Sequence, residues 1–246
     1  MKNFIPIFQM EMKRRSRDFF IIFYNIIFPA VIILLLGYLM SKSYGTEFTS
    51  YEFYAIVIPP FCLLMAIVSV AYAAQDEKRM KTAFRFMSSP VSVVELVLAK
   101  FTSSTIVLTI CSIIILGMAK LFFHLSFHGS FALVVFLLFC EAMAVTGIGL
   151  FLGLACKNFF MIKNFMNLPI MIFGFLGGVF FPVNSLNPML SSIINSSPLT
   201  WVNRGIIYSI YGGNYTILLV TGGMFFLVGG IAILFAVRLF KREEFI

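Results

Sequence analysis

Apolar residues gather into six long runs, at roughly 19–40, 55–74, 101–119, 131–155, 164–181 and 215–237. Each is about the 17 to 25 residues that a helix needs to cross the hydrocarbon core of a bilayer. The pattern predicts an all-α integral membrane protein, a single transmembrane domain over 1–246 with six transmembrane helices.

The segments between the runs have patterns of their own. Phe4, Ile5, Ile7, Phe8, Met12 and Phe19 alternate with a cationic stretch, Lys13 to Arg17. This suits an elbow helix over 1–18 lying in the membrane interface before the first span. The longest polar segment is 75–100. Ser88 or Ser89 caps a helix there, Pro90 fits its first turn, and Val91, Val94 and Leu98 recur at helical spacing. A short amphipathic helix on the cytoplasmic surface is expected, placed to receive force from a soluble partner. In the fifth run Gly174, Gly177 and Gly178 sit among Phe173, Phe175, Phe180 and Phe181. Such glycines let a neighbouring helix approach closely, and the rings can constrict a path. From 182 to 213 the chain is too apolar for a plain loop and too broken by Pro188 and Pro198 to span. Trp201 and Tyr208 favour the headgroup level, so two short external or re-entrant helices are expected, forming a lid over the outer mouth.

Charge sets the orientation. Fifteen of the eighteen Lys and Arg residues fall on one side of this six-span arrangement, and only Lys42, Lys120 and Arg204 fall on the other. The positive-inside rule places both termini in the cytoplasm, in a multi-pass protein of the cell membrane. At 61% hydrophobic and 11% charged residues, the chain has more apolar surface than a soluble core of 246 residues can hide. The net charge of +8 sits at span ends, where topology explains it, and no nucleic-acid partner is implied. The leading segment is basic, and no small-residue cleavage site follows the first run, so that run is expected to remain as a span.

Isolated candidates for chemistry are few. Cys62, Cys111, Cys140 and Cys156 have no CxxC spacing and read as packing residues. His124 and His128 stand four apart, a spacing that brings two rings to one helix face, but two ligands do not make a zinc site. No Ser/His or paired-acid constellation suggests an intramembrane hydrolase. Glu141 is the acidic residue deep in a span, and an intramembrane carboxylate is a functional candidate by default. It points to an alternative class, a proton-coupled secondary transporter, or else to a structural or pocket-facing acid. The chain lacks a GxxxxGK[ST] segment and therefore the backbone cradle and lysine that ATP chemistry needs.

The order of these pieces carries a resemblance. A Ser89-Pro90-Val91-Ser92 segment precedes the third run, Gly177-Gly178-Val179-Phe180-Phe181-Pro182 leaves the fifth, and Pro198-Leu199-Thr200-Trp201 precedes the sixth. With the basic elbow and six runs, this resembles a membrane permease subunit of the ABC-2 family of ATP-binding-cassette exporters. The family commonly has Tyr where this chain has Trp201, and its basic residue comes later than Arg204. The resemblance implies a 2+2 assembly with a second permease copy or paralogue and with separate ABC ATP-binding subunits, which would hold ATP and Mg²⁺. It implies coupling to the ATPase through Ser89, Pro90, Val91, Val94 and Glu95. It also implies a path at the dimer seam lined by spans one, two and five, with Phe173, Phe180 and Phe181 as its constriction. Small permeases of this family export drugs, amphipathic peptides such as phenol-soluble modulins, lipids and lipid-linked glycans. The sparse ionisable lining and the 31 Phe and 14 Met residues tilt the expectation toward a lipophilic or amphipathic cargo.

Overall fold

The computed structural model describes residues 4–44, 49–79, 92–123, 125–156, 159–180 and 187–239, and every element among them is helical. In chain order they are α1 (Phe4–Arg15), α2 (Phe19–Leu39), α3 (Ser50–Arg79), α4 (Val93–Phe122), α5 (Phe131–Ala155), α6 (Phe159–Leu176), α7 (Pro188–Asn195), α8 (Pro198–Tyr211) and α9 (Thr216–Leu239).

Local chemistry accounts for the starts and irregularities. Asp18 caps α2, its carboxylate accepting from the Phe20 N–H at 3.0 Å. Within α2 the stretch Phe23–Ile27 is a π-helix just ahead of Pro29. Pro29 has no N–H to give the carbonyl of Asn25, so the ordinary helical pattern fails there and the turn widens. Two further prolines, Pro59 and Pro60, lie inside α3. In water they would break a helix, but neighbouring helices enclose this one: 83% of its apolar window is buried, against 22% for α2 and 28% for α9.

The core forms around α3, α5 and α9, which approach at glycines. A Cβ on Gly153 would lie 2.5 Å from the Ala71 carbonyl oxygen, and one on Gly149 would lie 2.8 Å from the Val70 side chain. On the opposite side, Gly147 meets the Gly229 carbonyl at 2.9 Å, and Gly229 meets Met143 and Ala144. Small residues are what allow helix backbones to come this close. Contacts of α5 with α3 and with α9 advance in the same sense along both chains, so the three helices run parallel. The chain therefore has to return along the bundle between α5 and α9.

That return is α6. The Gln75 amide donates to the Cys156 carbonyl at 2.9 Å, Gly174 faces the Phe61 ring, and the Tyr54 hydroxyl donates to the Phe180 carbonyl at 3.1 Å. Cys156 to Phe180 thus runs antiparallel to α3 from Gln75 back to Tyr54, on the order of 30 Å at about 1.5 Å per residue.

Several expectations change. Five helices among the described residues are long and apolar enough to cross a bilayer, namely α2, the Ser50–Gln75 part of α3, α4, α5 and α9. The helix of the fifth run, α6, ends at Leu176, because the chain leaves it at Gly177 and Gly178 instead of continuing to 181. The second and third spans are longer than expected, since their polar ends continue as helix. Residues 93–100 are not a separate surface helix: Ser92 is the N-cap of α4, which is continuous from Val93 to Phe122, and the expected caps Ser88 and Ser89 lie outside the described residues. His128 lies in a turn with φ 44 beyond the end of α4, so no helix face presents it with His124, which is outside the described residues. The 182–213 stretch does contain two short helices, α7 and α8.

Candidate functional site

Two of the sequence pieces that carried the resemblance meet at the end of α6. A helix leaves its last carbonyls without intrahelical donors, and here each acquires a partner. Gly178 takes the left-handed conformation, φ 73, that a glycine adopts without strain. The turn it makes returns the Val179 N–H to the Gly174 carbonyl at 3.1 Å and the Gly178 N–H to Phe175 at 3.2 Å. The remaining carbonyls are reached from α8. The Ser197 hydroxyl donates to Phe173 at 3.2 Å, the Thr200 hydroxyl to Leu176 at 3.1 Å, and the Asn203 amide to Gly177 at 2.8 Å. Residues 197, 200 and 203 recur every three positions and so share one helix face. A Cβ on Gly177 would sit 3.0 Å from Leu199, so the glycine is also what lets α8 come close.

Beyond this cap stands an aromatic cluster. Phe180 packs on Phe175 with ring centroids 4.6 Å apart and meets Phe61 of α3 edge-on at 5.8 Å. Of the expected constriction residues, Phe180 is in this cluster, Phe173 is half-buried against the hydrophobic core, and Phe181 lies outside the described residues. Tyr54, Phe61, Ser197, Thr200 and Asn203 were missed. For the last three the signal was a polar residue at every third position, 197, 200 and 203, at the start of α8. α7 is tied to α8 through Asn195, whose carbonyl accepts from the Trp201 indole at 2.8 Å and whose side-chain oxygen accepts from Arg204 at 2.6 Å. At the far end of α8, burial pushes the Tyr211 phenol up to about 12, with the Glu52 carboxylate adding to the shift.

The opposite end of the bundle joins α1 to α4. Lys100 donates to Glu11 at 3.0 Å, and both side chains are buried, 8% and 3% exposed. Ile7 and Arg15 bury the same helix against its neighbours. Of the expected coupling residues, Ser89, Pro90 and Val91 lie outside the described residues. Val94 is exposed. Glu95 closes a capping box: the Ser92 hydroxyl accepts from the Glu95 N–H, and the Glu95 carboxylate accepts from the Ser92 N–H, each at 3.2 Å.

Glu141 lies midway along α5, fully buried, and neither carboxyl oxygen has a hydrogen-bond partner among the described residues. The cysteines are free, with Cys62, Cys111 and Cys140 buried.

A bundle of long apolar helices packed through glycines, one end capped by a polar-faced helix and the other carrying a docked amphipathic helix, defines a multi-pass membrane protein. The family model for the ABC-2 type transporter matches residues 3–211. The chain belongs to that family, the membrane component of ABC transporters. No curated protein matches it significantly.

Proposed function

We propose that this chain is the permease subunit of an exporter driven by separate ATP-binding subunits. The family match over residues 3–211 carries this reading. The course of α6 alongside α3 supports a sixth crossing, and with the Lys and Arg distribution it supports cytoplasmic termini in a plasma-membrane protein. Closure of the ATPase pair would push on the 75–100 segment, and Val94, exposed at the start of α4, suits such a contact. Because Glu11 and Lys100 tie α1 to α4, the elbow would move with it. The bundle would then rock from inward-open to outward-open and part the Phe61, Phe175 and Phe180 rings. The apolar surfaces that α2 and α6 present outward, including Leu34, Phe165 and Ile172, suit a second permease copy in a 2+2 assembly. A hydrophobic or amphipathic substrate, whether peptide, drug or lipid, fits a path with aromatic walls.

The test is to co-express this chain with its genomic neighbours and ask whether an ATP-binding subunit stays bound. A complex that stays together, hydrolyses ATP and moves an amphipathic peptide outward in vesicles supports the reading; a chain that purifies alone and moves solute without ATP refutes it. The buried, unpartnered Glu141 favours a second reading, a proton-coupled transporter. In that case Glu141→Gln abolishes movement driven by a proton gradient, whereas an ATP-driven exporter keeps its dependence on nucleotide in the same variant.

A further inference from the structure

We propose that Ser197, Thr200 and Asn203 of α8 are positioning residues forming a releasable latch on the outer gate. They hold the 173–180 segment, and with it the Phe175 and Phe180 rings, in the closed setting. This deepens the exporter reading and rests on it only for the event that opens the latch.

The hydrogen bonds make the case. Leu176 and Gly177 have carbonyls that receive only the Thr200 and Asn203 donors among the hydrogen bonds of the described residues, while Phe173 receives Ser197 in addition to the Gly177 N–H. Tyr54 holds the Phe180 carbonyl from the other side. The gate segment is thus fastened by side chains from outside α6, and at Leu176 and Gly177 these are the donors that its own helix does not supply.

These fastenings also have local alternatives. A hydroxyl on an apolar helix ordinarily bonds back to its own carbonyl four residues earlier, as Thr102, Thr109 and Ser112 do here to Leu98, Thr105 and Leu108. Thr200 reaches across to α6 instead. Ser197 stands at the N-cap of α8, where a serine ordinarily accepts from its own helix; it makes no cap bond, and its hydroxyl proton goes to the Phe173 carbonyl. Asn203 has its amide orientation set by the Gly177 carbonyl, which accepts only from the nitrogen. Its oxygen is left buried without a partner among the described residues. Thr200 therefore has a second acceptor in the Ser196 carbonyl, four residues earlier and just ahead of α8, and Asn203 is only half satisfied in the present arrangement. A contact that exchanges one set of bonds for another of similar worth opens without large loss, which is what a two-state element requires.

Amide hydrogen exchange over 173–180 tests this in the full chain with its copurified ATPase subunit in lipid nanodiscs. Without nucleotide, Thr200→Val keeps the shape and removes the donor, and exchange of these amides should rise about fivefold, the effect of one ordinary hydrogen bond. Thr200→Ser should restore the wild-type rate. In the wild type, trapping ATP should raise exchange in the same segment. An unchanged rate in Thr200→Val, a rise spread equally over 131–155, or failure of Thr200→Ser to restore protection would each overturn the latch. Wild-type exchange that ATP leaves unaltered, with the ATPase subunit bound and active, overturns its release during transport. Failure of ATP to drive substrate movement counts against the exporter reading separately, because the Thr200 comparison is made without nucleotide.

Discussion

Replacing Lys100 by Met should undock α1 from the bundle. The substitution keeps the apolar stem and leaves the Glu11 carboxylate, 3% exposed, facing a buried site with its cation gone. Breaking one side of a buried pair costs about 3 to 5 kcal/mol, chiefly because a desolvated charge is stranded. The lower figure already shifts a docking equilibrium on the order of 100-fold. α1 is amphipathic in composition and covalently tethered, so it escapes the cost by leaving α4 rather than by unfolding the bundle. A spin label at the exposed Ile5, introduced as Ile5→Cys with Cys156→Ser, should pass from restricted to mobile in Lys100→Met. Adding Glu11→Gln removes the stranded charge and should return most of the restricted signal. If the single variant stays restricted, or the double variant is as mobile as the single one, the ion pair is not what docks the helix.

Three further outcomes follow from the same contacts. Gly153→Leu drives a side chain into the Ala71 carbonyl, 2.5 Å from the position of its Cβ; thermal unfolding in detergent should show a loss of at least about 2 kcal/mol, while Gly230→Leu, which meets nothing within 4 Å, should be close to neutral. Glu95→Lys removes the carboxylate from the capping box, at roughly 1 kcal/mol, and should separate ATP hydrolysis from substrate movement; substrate-stimulated hydrolysis at the wild-type level would dismiss Glu95 from the ATPase contact. Replacing Phe173, Phe180 and Phe181 together by Ala should raise passive leak and basal ATP hydrolysis, and unchanged values for both would dismiss the aromatic constriction.

Much of the architecture was legible because lipid imposes a simple rule on sequence. A segment crossing a bilayer must satisfy its backbone internally and face hydrocarbon outward, so long apolar runs mark helices whatever their neighbours are. The all-α class, the positions of five long apolar helices and the paired short helices α7 and α8 were readable in the sequence. Cap positions were less so. Ser92 is an acceptable cap by residue type, and its reciprocal pairing with Glu95 is what makes it the start of α4. The glycines of the fifth run were read as packing residues, which holds for Gly174 against Phe61; Gly178 instead makes the turn that ends α6.

The sequence by itself determined that this chain lives in a membrane, roughly where it crosses, and to which family it belongs, since each follows from local composition and the order of short motifs. Only the tertiary structure decided which residues act together. Lys100 with Glu11, Tyr54 with Phe180, and Thr200 with Leu176 are far apart or differently placed along the chain, and no periodicity relates them. Their partnership arises because the parallel packing of α3, α5 and α9 fixes where α6 must return, and the carbonyls left open at its end select the polar face of α8.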